Sequence, residues 1–168
     1  MRYEQIGEVI GGTPLIRVDA LLPEAARAKG IHLFAKVELL GPTGSIKDRT
    51  AKALIDDLLF KGLLTPGKEL LEPTSGNTGA ALAVHAAARS IPLTLVMPAN
   101  VTEERRAFVR ALGATIIDSP ADQGSNGAVA LARALAKGDT KYVMPDQYAN
   151  QANPKVHEVT TAPEILTD

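Results

Sequence analysis

The chain has 168 residues, with 18 basic residues against 19 acidic ones and a net charge of −1. This near-neutral balance, with no basic tract and only 4% aromatic residues, argues against a nucleic-acid or anionic-membrane partner. The complete lack of cysteine excludes disulfides, thiol catalysis and thiolate metal sites. Hydrophobic residues make up 45%, enough for a core built from Leu, Ile, Val and Ala. The opening Met1-Arg2-Tyr3-Glu4-Gln5 has no apolar leader stretch, so a soluble cytoplasmic protein is expected.

Leu15-Ile16-Arg17-Val18 and Leu33-Phe34-Ala35-Lys36-Val37 read as short strands around an Ala-rich helical piece, Glu24 to Lys29. A Gly-Pro-Thr-Gly loop at 41–44 precedes a helix from about Ser45 to Lys61, closed by Gly62 and the Pro66-Gly67 turn. Strands at 69–72, 93–97, 114–118 and 141–144 then alternate with helices ending near Arg89, running from Thr102 to Leu112, and near 124–137. A last helix starts near Asn153 and is interrupted or restarted at Pro163. Short apolar strands alternating with helices predict an α/β fold, a parallel sheet with helices on both faces.

In such sheets ligands sit beyond the carboxyl ends of the strands. Three loops there have suggestive composition. In Pro42-Thr43-Gly44-Ser45-Ile46-Lys47-Asp48-Arg49, Ser45 and Asp48 read as a capping-box-like start, with Asp in place of the usual Glu or Gln, that puts Lys47 in the first helical turn. The positive end of the helix dipole disfavours the ammonium there and favours a nucleophilic amine. A solvated lysine in a capped helix is the plainer alternative. Glu72-Pro73-Thr74-Ser75-Gly76-Asn77-Thr78-Gly79 joins a strand to an Ala-rich helix and suits a carboxylate or small anion, or is an ordinary capped turn. It matches neither dinucleotide nor P-loop patterns. Asp146-Gln147-Tyr148-Ala149-Asn150-Gln151-Ala152-Asn153-Pro154 either binds a polar ligand or simply caps and turns. His32, His85 and His157 have no metal-ligand spacing, and Glu103-Glu104-Arg105-Arg106 reads as a solvated helix face.

Taken in order, these loops with Gly12-Thr13-Pro14-Leu15, Met97-Pro98, Glu104-Arg105-Arg106, Gly113-Ala114, Thr160-Thr161 and Pro163-Glu164 resemble the cysteine synthase branch of the pyridoxal-phosphate-dependent β-replacement enzymes. The resemblance implies that Lys47 carries pyridoxal 5′-phosphate as a Schiff base and moves the substrate α-proton. It implies that Asn77 bonds the cofactor's 3′-oxygen, and that Thr74, Ser75, Gly76, Thr78 and Gln147 hold the substrate α-carboxylate. The reaction implied replaces the β-substituent of an activated serine (O-acetylserine or O-phosphoserine) with sulfide, giving cysteine. Cystathionine β-synthase is the alternative within the same chemistry, supported by Asp146-Gln147-Tyr148 and Thr160-Thr161-Ala162. Threonine dehydratases fit poorly at Ile46. A non-catalytic interaction protein that keeps the fold is the alternative of a different class.

Two departures stand out, Gly41 where the family has Asn and Ala162 where it has Gly. The first is expected to loosen the cofactor loop. The resemblance also implies that residues 40–150 form the family's small domain, while 1–39 and 151–168 are arms of an incomplete large domain. On this reading the chain is an N-terminal half, lacking the cofactor's phosphate loop and the partner of its pyridine nitrogen. A homodimer, or assembly with a complementary C-terminal half, is then expected, with turnover by the chain alone not expected.

Overall fold

The computed structural model describes residues 2–168. Its centre is a four-stranded parallel sheet of β3 (Glu69–Pro73), β4 (Leu93–Pro98), β5 (Thr115–Ser119) and β6 (Tyr142–Val143), in the spatial order β5-β4-β3-β6. Ahead of it, β1 (Leu15–Arg17) and β2 (Phe34–Lys36) form an antiparallel ribbon, with Ile16 opposite Ala35 and a single-turn helix α1 (Glu24–Arg27) between them.

The parallel strands are apolar on both sides because helices cover both. On one face, α2 (Lys47–Phe60), α3 (Asn77–Ala88) and α4 (Glu103–Ala111) pack on Leu70, Leu93, Leu95 and Met97. Ile55, Leu58, Leu82 and Val109 are their contributions to this larger core. On the other face, α5 (Gly124–Gly138) covers Leu71 and Val96 with Ala128 and Ala132. Alanines at these contacts let helix and sheet approach closely, so few aromatics are needed.

From β3 the chain steps outward to β4 and β5. It then returns by way of α5 to lay β6 on the other side of β3. Reversal of winding direction puts the return helix on the opposite face and opens a crevice at the carboxyl ends of β3 and β6. Two of the three loops singled out from sequence follow these two strands, and the 42–49 loop reaches the same end from ahead of α2.

The elements match the sequence reading within a few residues, with three local differences. The expected capping box does not form. Ser45 Oγ accepts the Lys47 N–H at 3.2 Å, but the Asp48 carboxylate turns to Thr43, accepting its N–H at 3.0 Å and its hydroxyl at 2.8 Å. Asp is one methylene shorter than the Glu of a capping box, and Gly41 leaves the space it takes. A Cβ at Gly41 would stand 2.6 Å from Asp48 Oδ2. Where looseness was expected, the 41–48 loop is tied together by this carboxylate. Second, β6 is shorter than the expected 141–144 strand. Third, the last helix is not broken at Pro163. α6 (Ala152–Val156) runs through a π-helical turn at His157–Thr161 into α7 (Ala162–Thr167). The wider turn makes room for a proline that has no N–H and would crowd the preceding carbonyl.

Candidate active site

A cavity of about 360 Å³ opens at the crevice between β3 and β6. Its wall holds Lys47, Thr74, Ser75, Gly76, Asn77, Thr78 and Gln147, so all seven residues singled out from the sequence line one space. They come from the start of α2, the β3–α3 loop and the loop after β6.

Lys47 is the first residue of α2, and no hydrogen bond or ion pair holds its side chain among the described residues. Across the cavity, Asn77 opens α3. The N–H groups of Gly79 and Ala80 bond back to the Gly76 carbonyl at 3.0 and 3.4 Å. Those of Asn77 and Thr78, first in the helix, are left for a ligand at the positive end of the helix dipole. The Thr78 hydroxyl donates to Gln147 Oε1 at 2.7 Å. The cavity thus offers an amine on one side and a cluster of N–H and O–H donors on the other. That donor set suits a carboxylate held beside a carbonyl compound attached to the amine. The residues present therefore fit the aldehyde end of pyridoxal phosphate together with an amino acid.

Gly79 makes the close packing of this loop possible. A Cβ there would lie 2.8 Å from Thr74 Cγ2 and 3.3 Å from Leu95 Cδ1. The β-branched Thr74 has little freedom to yield. Gly79→Ala gains up to about 1 kcal/mol of helix propensity but overpacks at a cost of ~1–3 kcal/mol. We expect a net loss of stability in chemical denaturation, with α3 pushed away from Thr74.

The α4 segment needs correction. Glu103-Glu104-Arg105-Arg106 is not simply a solvated face. Arg106 is buried and pairs with Asp118 at 2.6 Å. Arg105 lines the cavity and donates to the Ser75 carbonyl at 3.1 Å. Sequence reading also missed Ser125 as a wall residue, while Tyr148 lines the wall from within the 146–154 loop expected there. The location of Ser125, at the start of the helix returning from the sheet's far edge, emerges only with the strand order. The three histidines stand in different surroundings. His85 sits in the core, its pKa pushed down to about 4 chiefly by burial, with the charge of Arg89 adding to the effect. His32 pairs with Asp19 on the surface, while His157 lies at 3.0 Å from Thr161 Oγ1. Among the described residues, no His, Asp or Glu group is arranged to hold a metal ion, and no helix is long and apolar enough to cross a membrane.

Residues 6–168 match the family model described as pyridoxal-phosphate dependent enzyme. A cysteine synthase from Aquifex aeolicus is 44% identical over 163 residues, which cover 96% of this chain and 50% of the relative. Cysteine synthase A from Escherichia coli is 42% identical, covering 99% of this chain and 50% of its own. The chain therefore spans about half the length of the curated relatives it matches. Among solved structures, O-acetyl serine sulfhydrylase isoform 3 from Entamoeba histolytica superposes with a TM-score of 0.91 at 35% identity, covering 100% of this chain and 50% of that one. An O-acetylserine dependent cystathionine beta-synthase from Helicobacter pylori gives 0.87 at 33% identity, covering 99% and 54%. With the parallel sheet, the lysine and the donor-rich helix start in one crevice, the chain belongs to the pyridoxal-phosphate dependent enzyme family, among relatives that are cysteine synthases.

Proposed function

We propose that this chain provides the lysine and the carboxylate-binding half of a cysteine synthase that exchanges the β-substituent of an activated serine for sulfide. The observation that carries this reading is the convergence of Lys47, the α3 start and Gln147 on one cavity. Pyridoxal phosphate, when bound, supplies the electron sink that makes the substrate α-proton removable. Lys47 would hold the cofactor through its amine and carry the proton at the substrate α-carbon. Asn77 would bond the ring's 3′-oxygen. Thr74, Ser75, Gly76, Thr78 and Gln147 would take the α-carboxylate and orient the α-hydrogen toward Lys47.

On this reading the groups for the cofactor's phosphate and ring nitrogen come from outside these 168 residues, for which a complementary half is the proposed source. Leu21, Phe34, Leu39 and Leu166 are exposed on the arms outside the central sheet, which supports a further protein surface packing there, in a homodimer or from such a half. Cystathionine synthesis is kept as a second reading because the Helicobacter structure shares this fold so closely.

The discriminating experiment supplies the chain, with and without a complementary family half, with pyridoxal phosphate and O-acetylserine or O-phosphoserine. Sulfide and homocysteine are then offered together. Cysteine as the product is expected, and cystathionine would favour the second reading. No product from either, in a sample that binds the cofactor, would leave an interaction protein.

A further inference from the structure

β3 reads Glu69-Leu70-Leu71-Glu72-Pro73, and Glu72 in this buried strand is fully shielded from solvent. Removing a carboxylate from water is unfavourable unless hydrogen bonds replace the lost ones. Here the replacement is specific. Oε2 accepts the N–H of Asp146 at 3.0 Å, and Oε1 accepts the N–H of Gln147 at 3.2 Å. Both carboxylate oxygens are thus committed to two successive amides of one turn after β6.

That turn needs holding. Asp146 has φ +49°, in the left-handed region that side-chain-bearing residues seldom adopt. The next residue is Gln147, whose side chain takes the Thr78 hydroxyl at 2.7 Å and whose carbonyl takes the Asn153 amide at 3.0 Å. Glu72 itself does not line the cavity. Burial pushes its carboxyl up to about 7, against the pull of the two N–H groups and of the Gln147 side chain, with the charge of Asp146 adding to the rise. An apolar residue at this strand position would fill the space without that penalty, so the carboxylate is better explained by what it holds than by packing.

We propose that Glu72 is a positioning residue whose carboxylate fixes the Asp146–Gln147 turn, so that Gln147 stands beside Thr78 in the carboxylate half of the cavity. The inference rests on reading the cavity as an amino-acid site. Glu72 acts through Gln147 and touches no ligand.

Two measurements on the 168-residue chain test it. In hydrogen exchange, the amides of Asp146 and Gln147 are expected to be protected in the unsubstituted protein. Rapid exchange of both there would overturn the proposal whatever the variants do. In Glu72→Gln the side-chain oxygen can meet only one N–H, and its NH₂ opposes the other. Both amides should then exchange at least about tenfold faster, while Leu70 and Leu95 stay protected. Glu72→Asp keeps the charge but withdraws it by one methylene, and should give the same pattern if Glu72→Gln folds poorly.

The second measurement is a titration with O-acetylserine in the presence of pyridoxal phosphate. Glu72→Gln is expected to raise Kd about tenfold in the otherwise unsubstituted chain and to leave it unchanged in a Gln147→Ala background. An equal loss in both backgrounds would mean that Glu72 does not act through Gln147, and would overturn the proposal. Failure of the unsubstituted chain to bind would count against the proposed function alone, because exchange at Asp146 and Gln147 judges the clamp without ligand.

Discussion

Arg49→Ala is expected to cost ~3–5 kcal/mol of stability, the range for stripping one partner from a buried ion cluster. Arg49 follows Lys47 by two residues on α2, and its side chain is only 2% exposed. Its guanidinium donates to Glu38 through Nε at 2.9 Å and Nη2 at 2.9 Å, and to Glu164 through Nη1 and Nη2, each at 2.7 Å. Lys36 reaches Glu164 from β2 at 3.0 Å. One side chain therefore clasps the N-terminal arm, α2 and α7 together. Its removal leaves two carboxylates facing each other in a half-buried site. Arg49→Lys should recover little, since a point charge cannot replace two paired hydrogen-bonding forks. Urea denaturation of both variants checks this, and a loss below about 1 kcal/mol would reduce the cluster to an ordinary surface pair.

The clasp also sets an acid limit. Hydrogen bonds from Arg49 hold Glu164 down to about 2, against the effect of burial, with Lys36 and the Gly12 N–H adding to the fall. A carboxylate lowered in the folded state adds stability that is present above its ordinary value of 4.5 and lost as pH falls through about 2. The stability gap between the unsubstituted protein and Glu164→Gln should therefore be full at pH 6 and close between pH 4.5 and 2.

The second large effect is functional. Lys47→Ala should abolish covalent cofactor attachment and lower any β-replacement rate by at least ~10³-fold, since nucleophile and proton carrier are lost together. Its stability should change little, because Lys47 is partly exposed and holds no ion pair. Arg49→Ala and Lys47→Ala thus damage different properties although a single residue, Asp48, separates them. Comparing their denaturation midpoints and their cofactor spectra shows the division.

Much of this was legible in the chain. Alternating apolar strands and helices specified the parallel sheet, because strands buried on both faces have few other readings. Lys47, Thr74, Ser75, Gly76, Asn77, Thr78 and Gln147 could each be picked out because they lie in loops at strand ends. Their meeting in one cavity could not be read from periodicity, since it depends on β6 lying beside β3 and not beyond β5. The Arg105 contact was missed for the same kind of reason. A charge run at a helix start looks solvated until the β3–α3 loop is seen against it. Glu72 did carry a signal, a carboxylate in the buried stretch of β3 between Leu71 and Pro73, but its two partners lie 74 and 75 residues away. The capping box failed on the single methylene by which Asp48 falls short of Glu, a departure already visible in the residue type.

The most direct test of Lys47 as the cofactor-bearing residue is reductive trapping. The chain is incubated with pyridoxal phosphate, treated with borohydride, digested and mapped by mass spectrometry. The modification should concentrate on the peptide containing Lys47, with visible absorbance that disappears in Lys47→Ala. Modification spread evenly over the surface lysines, or unchanged absorbance in Lys47→Ala, would contradict the assignment.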